Sequence, residues 1–189
     1  MTVVTYDDIK DDFEELRGFF KSDLRILIQS PVGGNYASVL IATTACEVLG
    51  PLRFENNCES EFFREYLLPA AWREVGPSLY DALRNGLAHS YTTKTILQVN
   101  DVNLELGISW SEKPHLKFNS QHSVLYINVR ELAQRVYEAL ISYETELKEQ
   151  PQLCALYEKR RKRKRTINVH TLSEREAWAT LLLSNEIVT

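Results

Sequence analysis

The sequence predicts a mainly α-helical bundle with a small antiparallel β-sheet inserted before the last long helix. Apolar residues follow the 3.6-residue period of amphipathic helices over most of residues 6–91 and again over 129–148. Between these regions the apolar period falls to 2, as it does in a half-buried strand. Only 7 glycines and 6 prolines occur in 189 residues, so extensive disorder is not expected.

Two segments of unequal size are expected. A helical domain over residues 1–150 has enough apolar residues for one core and contains the sheet at about 93–128. A C-terminal arm over residues 151–189 carries a run of basic residues and a short helix.

Four helices are predicted before the sheet, at about residues 6–30, 36–50, 60–72 and 78–91. Thr5 and Asp8 form a capping pair at the start of the first helix. The second is apolar nearly all round, as a central buried helix is, and Gly50 with Pro51 is its expected stop. Pro77 suits the first turn of the fourth helix.

The sheet and the later helices follow from the change in period. Strands are predicted at about 94–99 and 102–110, with Asn100 and Asp101 joining them as a hairpin. One or two more short strands are expected at about 115–118 and 123–129. Helices are expected at about 129–148 and 153–165, separated at Pro151. Ser173 and Glu176 form a capping box for a last short helix. Its apolar residues need a surface to dock on: Trp178, Leu181 and Leu182.

A basic run near the C-terminal end changes how the net charge of −4 is interpreted. The run holds 7 of the 22 lysines and arginines, which leaves 15 positive against 26 negative side chains elsewhere. Such a cluster fits a nucleic-acid backbone. It fits equally a solvated tail or an arm that docks a neutralising protein. The candidate nucleic-acid-binding residues of this basic run are Lys159, Arg160, Arg161, Lys162, Arg163, Lys164 and Arg165.

Membrane-spanning and disulfide-stabilised classes are not expected. No apolar run approaches the roughly 18–20 residues that cross a bilayer, and the acidic N-terminal region is unlike a signal peptide. An odd number of widely spaced cysteines suggests reduced thiols in a cytoplasmic protein, not a zinc site. The acidic residues Asp7, Asp8, Asp11 and Asp12 are interpreted as a solvated helix face, so neither metal nor other cofactor is expected.

The fourth predicted helix carries the candidate site. With about 100° per residue, Arg84, Asn85 and His89 share one side of the helix. The opposite side carries an apolar stripe that anchors the helix, formed by Leu79, Leu83 and Leu87. Arg84 offers a bidentate clamp for phosphate oxygens, and His89 is a base or acid near neutral pH. Asn85 can hold a phosphate or orient the imidazole of His89.

The same residues allow a plainer interpretation. A surface helix end can carry a histidine and an asparagine that hydrogen-bond locally, without chemistry. Glu47, in the apolar second helix, is expected to pair with a buried arginine or to orient His89. His115, His122 and His170 lack metal-ligand spacing and are expected in loops or at strand ends.

The stretch from Arg84 to Tyr91 resembles the R-x4-6-H motif of HEPN domains, and in particular the R-x4-H-x-Y variant of HEPN toxins. The resemblance implies a helical bundle that forms a homodimer with two motifs facing a shared cleft. It also implies a metal-independent endoribonuclease, a toxin or anti-phage effector. RNA would be cut by attack of the 2′-hydroxyl, leaving a 2′,3′-cyclic phosphate, with Arg84 and His89 as catalytic residues and Asn85 supporting them.

The resemblance also implies a role for Tyr91, which matches a tyrosine that a partner nucleotidyltransferase antitoxin modifies with AMP. Packing of Tyr91 on the first strand is the competing interpretation. Two other functions stay open for the whole chain. One is a catalytically silent HEPN-like module that binds a nucleotide or a protein, and the other is a nucleic-acid-binding regulator that uses the basic run.

Overall fold

The computed structural model describes residues 3–29, 35–90, 97–99, 102–109, 115–161 and 171–177. The described chain is mainly helical with one small mixed sheet, which confirms the mainly α class. The α-helices in the described part of residues 3–161 are α1 (Lys10–Gln29), α2 (Asn35–Arg53), α3 (Cys58–Phe62), α4 (Gly76–Ser90), α5 (Val129–Glu149) and α6 (Pro151–Arg161). A π-helical turn, Phe63–Leu67, continues α3, and a 3₁₀ segment, Ala70–Val75, precedes α4.

One predicted helix cap is confirmed and one is wrong. The carboxylate of Asp8 accepts hydrogen bonds from the backbone N–H and the hydroxyl of Thr5, at 2.8 and 2.9 Å. Near the C-terminal end, residues 172–177 are helical, but Thr171 precedes the helix and its hydroxyl accepts from the N–H of Glu174 at 3.3 Å. Ser173 therefore lies inside this helix and not at its cap.

The predicted stop of α2 at Gly50 and Pro51 is also wrong, because the helix continues to Arg53. A Cβ atom at Gly50 would lie 2.3 Å from the backbone oxygen of Cys58. The glycine therefore permits α2 and α3 to approach backbone to backbone. Pro51 is tolerated within the last turn of the helix.

The single helix predicted at 60–72 is three shorter pieces. Leu68 has the extended conformation, with φ −107° and ψ 141°, that the residue before a proline prefers, so Pro69 interrupts the helix. The preceding π-helical turn lies where the rings of Phe62 and Tyr66 stack, 4.4 Å apart. The Phe62 ring in turn packs edge-on against Tyr143 of α5, within the core.

The sheet is mixed, so the prediction of an antiparallel sheet is wrong. Its strands are β1 (Leu97–Val99), β2 (Val102–Ser109), β3 (Lys117–Asn119) and β4 (Val124–Asn128), in the order β1-β2-β4-β3. The outer pairs are antiparallel, but β2 and β4 are parallel. This register places Leu106 beside Leu125, and both are buried, so the two strands share one apolar face. Trp110 and the 100–101 turn lie outside the described residues.

Helices α2 and α5 form the centre of the bundle. Asn128 caps α5 by accepting from the N–H groups of Arg130 and Glu131, at 3.0 and 3.1 Å. Tyr143 of α5 donates a hydrogen bond to the backbone oxygen of Leu52 at 3.0 Å and is fully buried. Helix α6 packs on α2 and α5 and buries its own apolar residues, Leu153, Cys154 and Tyr157.

Two expectations about chain class can be compared with the described part. All three cysteines are free. Among the described residues no single helix has both the length and the apolarity to cross a bilayer, while the pair Tyr36–Arg53 and Cys58–Leu67, bent by 102°, meets the test by length and composition only.

Candidate functional site

Helix α4 separates an anchoring face from a polar face. Leu79 and Leu83 are buried against the core, at 2% and 0% exposure. Arg84 and Asn85 are half-buried on the other side of the helix. His89 belongs to the same continuous helix, five residues after Arg84. The side chains of Leu87 and His89, and all of Tyr91, lie outside the described part of the chain.

Arg84 is held by a carboxylate from the neighbouring helix. Its Nε donates a hydrogen bond to Oε1 of Glu47, which projects from α2. The side chains of Arg84 and Glu47 are 33% and 36% exposed to solvent, so the pair lies at the surface of the bundle. This hydrogen bond raises the pKa of Arg84 above its ordinary value, and the guanidinium is therefore fully charged. Glu47 pairs with an arginine as predicted, but the prediction that this arginine is buried is wrong, because Arg84 is 33% exposed.

Asn85 has a local partner. Its Nδ2 donates a hydrogen bond to Oδ1 of Asp81, one turn earlier on α4. Such a pair between residues i and i+4 is common on exposed helix faces. For Asn85, the geometry therefore fits the plainer interpretation of local hydrogen bonding, and the structure does not bring Asn85 into the Arg84–Glu47 pair.

Another residue close to Arg84 on α4, Tyr80, was not singled out from the sequence. It lies one turn before Arg84 on α4, and its ring packs 5.7 Å from that of Phe63. Burial raises the pKa of its hydroxyl, and the negative charge of Glu47 raises it further. The spacing of four residues from Arg84 was the signal that could have found it.

The basic run is divided between structural and exposed positions. Arg160 donates from one terminal nitrogen to the backbone oxygens of Pro51 and Phe54, at 2.5 and 2.7 Å, and so caps the C-terminal end of α2. Arg161 pairs with Asp12 of α1 at 3.0 Å. Lys159 is exposed, and residues 162–165 lie outside the described residues.

Two of the N-terminal aspartates, Asp8 and Asp12, make structural hydrogen bonds. Asp8 is the helix cap described above, and Asp12 accepts from the hydroxyl of Tyr157 at 2.6 Å as well as from Arg161. Asp12 thus ties α1 to α6 instead of forming a purely solvated face. Within the described ranges, no group of three or more His, Cys, Asp or Glu residues is arranged to hold a metal ion.

The other predicted histidines lie apart from α4. His115 is buried beside the start of α5, and its Nδ1 accepts from the N–H of Asn128 at 3.2 Å. Burial lowers its pKa to about 4, so the ring is neutral at pH 7. His122 is exposed in the turn before β4, and His170 lies outside the described residues.

A surface pocket of about 640 Å³ lies elsewhere, between the N-terminal segment, α1 and α5. One of its carboxylates, that of Glu144, already has several hydrogen-bond donors. Glu144 accepts from Tyr6, Arg17 and Lys148, at 2.8, 2.5 and 2.7 Å. No residue that lines this pocket belongs to α4, so it is separate from the Arg84 site.

No protein-family model, curated protein or solved structure matches this chain. Function is therefore inferred from the side chains themselves, chiefly those that α2 and α4 bring together at Arg84.

Proposed function

We propose that this chain is a HEPN-like, metal-independent endoribonuclease that acts in the cytoplasm as a toxin or anti-phage effector. The observation that carries the proposal is the continuity of α4 from Arg84 to His89, with its leucine face buried. Five helical residues span about 7.5 Å along the axis. Arg84 and His89 belong to one continuous helix.

The Arg84–Glu47 pair is compatible with phosphate binding. Both side chains are about one-third exposed, so the guanidinium of Arg84 is open to a phosphate group while its contact with Glu47 is kept. The described contact uses Nε. A guanidinium has four more N–H groups on its terminal nitrogens, in the planar fork that suits phosphate oxygens.

The expected reaction is transesterification followed by product release. A base removes the proton of the 2′-hydroxyl, the resulting oxygen attacks phosphorus, and the bond from phosphorus to the 5′-oxygen breaks. An acid protonates that leaving oxygen, and the other fragment keeps a 2′,3′-cyclic phosphate. His89 serves as base or acid, while Arg84 neutralises the charge that develops on the nonbridging oxygens. A homodimer supplies two histidines and allows the two roles to be separated.

Asn85, Tyr91 and the partner are subsidiary parts of the proposal. To hold a phosphate or orient His89, Asn85 would have to exchange its hydrogen bond to Asp81 for one to that group. Tyr91 remains the predicted site of modification by a nucleotidyltransferase antitoxin. RNA and a second copy of the chain are the primary partners, and DNA should be inert because it lacks the 2′-hydroxyl.

The test is cleavage of RNA in EDTA by purified protein and matched variants. We expect Arg84→Ala and His89→Ala each to lower the rate at least about 100-fold, as loss of a charge-stabilising donor or a general acid–base does. Arg64→Ala is the matched control for Arg84, because Arg64 is also ion-paired, to Glu61 at 2.7 Å, and similarly exposed. His122→Ala, an exposed histidine, controls for His89.

The competing functions give different results in the same assay. A silent module leaves RNA intact in wild type as well as in the variants. A nucleic-acid-binding regulator loses RNA binding when Lys159 and residues 162–165 are changed to serine, while Arg84→Ala binds normally. Arg160 and Arg161 are kept in that variant because they hold α6 to the bundle.

A further inference from the structure

We propose that Glu47 is a positioning residue for the Arg84 phosphate clamp, an inference that rests on the proposed ribonuclease function. Glu47 lies on a different helix from Arg84, so the pair joins α2 to α4 at the site. Its role is to fix the plane of the guanidinium before RNA arrives, without touching the substrate.

The carboxylate of Glu47 belongs to a helix that is packed in the core. Glu47 belongs to α2, the central helix, whose adjacent residue Cys46 is fully buried along with Ala45. Helices α2 and α4 pack directly on one another. A carboxylate fixed on this packed helix is a better anchor for a long flexible side chain than a residue on a loop.

The contact with Glu47 uses Nε of Arg84 and leaves the terminal nitrogens of Arg84 available for phosphate. Oε1 of Glu47 accepts from Nε of Arg84. Because the guanidinium is planar, fixing Nε also fixes the direction of the fork formed by the two terminal nitrogens. An arginine without this contact would have to order its rotatable bonds when phosphate binds. The contact therefore supplies orientation in advance, which is where positioning residues contribute to rate.

Although the contact with Glu47 orients Arg84, the negative charge of Glu47 lowers the affinity of the site for phosphate. A carboxylate beside the clamp weakens the attraction of Arg84 for an anionic phosphate, through simple like-charge repulsion. Glutamine keeps an oxygen that accepts from Nε but removes the charge. The two contributions of Glu47 can therefore be separated by comparing the alanine and glutamine variants.

The experiment measures single-turnover cleavage of an RNA oligonucleotide, and RNA affinity, for Glu47→Ala and Glu47→Gln. We expect Glu47→Ala to lower the cleavage rate about tenfold or more, because the clamp loses its orientation. Glu47→Gln should keep the rate within about threefold of wild type and bind RNA at least as tightly. Glu61→Ala, which removes one of the two carboxylates paired with Arg64, is the control and should cleave normally.

A double-mutant cycle separates positioning from a merely structural role. If Glu47 acts through Arg84, adding Glu47→Ala to Arg84→Ala causes no further loss of cleavage. Wild-type cleavage by Glu47→Ala, with Arg84→Ala and His89→Ala inactive, overturns this inference alone. Full activity of Arg84→Ala and His89→Ala overturns the ribonuclease function itself. Loss of activity in Glu47→Gln equal to that in Glu47→Ala also overturns the positioning role.

Discussion

His115 shows at the level of a single residue how burial sets a charge. The ring accepts from the backbone of Asn128 and is neutral, since burial lowers its pKa to about 4. The carboxylate of Glu131 favours the charged ring, whereas Arg135 opposes it. Desolvation is the largest of these effects, so folding selects the neutral form.

The stability of the protein should therefore depend on pH. Between about pH 6.5 and pH 4 the unfolded chain binds a proton at His115 that the folded protein does not, so the free energy of unfolding falls as pH is lowered. The loss is on the order of 3 kcal/mol over that range. Urea unfolding at a series of pH values measures it. His115→Gln should flatten the profile, while His122→Gln leaves it steep; equal slopes for both variants would contradict the assignment.

At the level of helices, two glycines differ in the space that surrounds them. Gly50 of α2 faces the backbone of Cys58, with no room for a Cβ, whereas Gly18 of α1 has nothing within 4 Å of that position. The two glycines therefore predict opposite effects of one substitution.

Gly50→Ala should destabilise the protein by about 2–3 kcal/mol, because backbone atoms of α2 and α3 must separate. Gly18→Ala should stabilise it by roughly 0.5–1 kcal/mol, since alanine is the better helix former. Thermal unfolding followed by circular dichroism compares the two variants with wild type. The packing described for α2 and α3 is wrong if Gly50→Ala unfolds at or above the wild-type temperature.

The sequence predicts elements well where one face has a strong apolar period. Helices α1 and α5, and strand β2, have nearly the expected bounds. The end of α2 was missed because Gly50 and Pro51 are typical of a helix stop, while the contact that requires the glycine comes from another helix. The parallel pairing of β2 with β4 was missed for the same reason, since strand direction depends on a crossover and not on alternation.

Part of the candidate site could also be predicted from the sequence. Arg84 and the buried leucines follow from helical geometry. Its partner Glu47 was a candidate, but only packing of α2 on α4 selects Arg84 from 13 arginines. The local bond of Asn85 and the structural use of Arg160 depend on side-chain contacts that no spacing rule specifies.

For the whole molecule, the proposal requires two copies of the chain. Two histidines are needed if base and acid are to be different groups, so the active species is expected to be a homodimer. Light scattering at micromolar concentration should give the mass of two chains. A single-chain mass in a preparation that cleaves RNA would contradict the shared cleft, though not the role of Arg84.

The most direct measurement of the central claim is the chemistry of RNA ends produced by wild type and His89→Ala in EDTA. We expect wild type to produce 2′,3′-cyclic phosphate ends from RNA and to leave DNA intact. His89→Ala should cleave RNA at least about 100-fold more slowly than wild type. Intact RNA with folded wild-type protein, or equal cleavage by His89→Ala, would contradict the account.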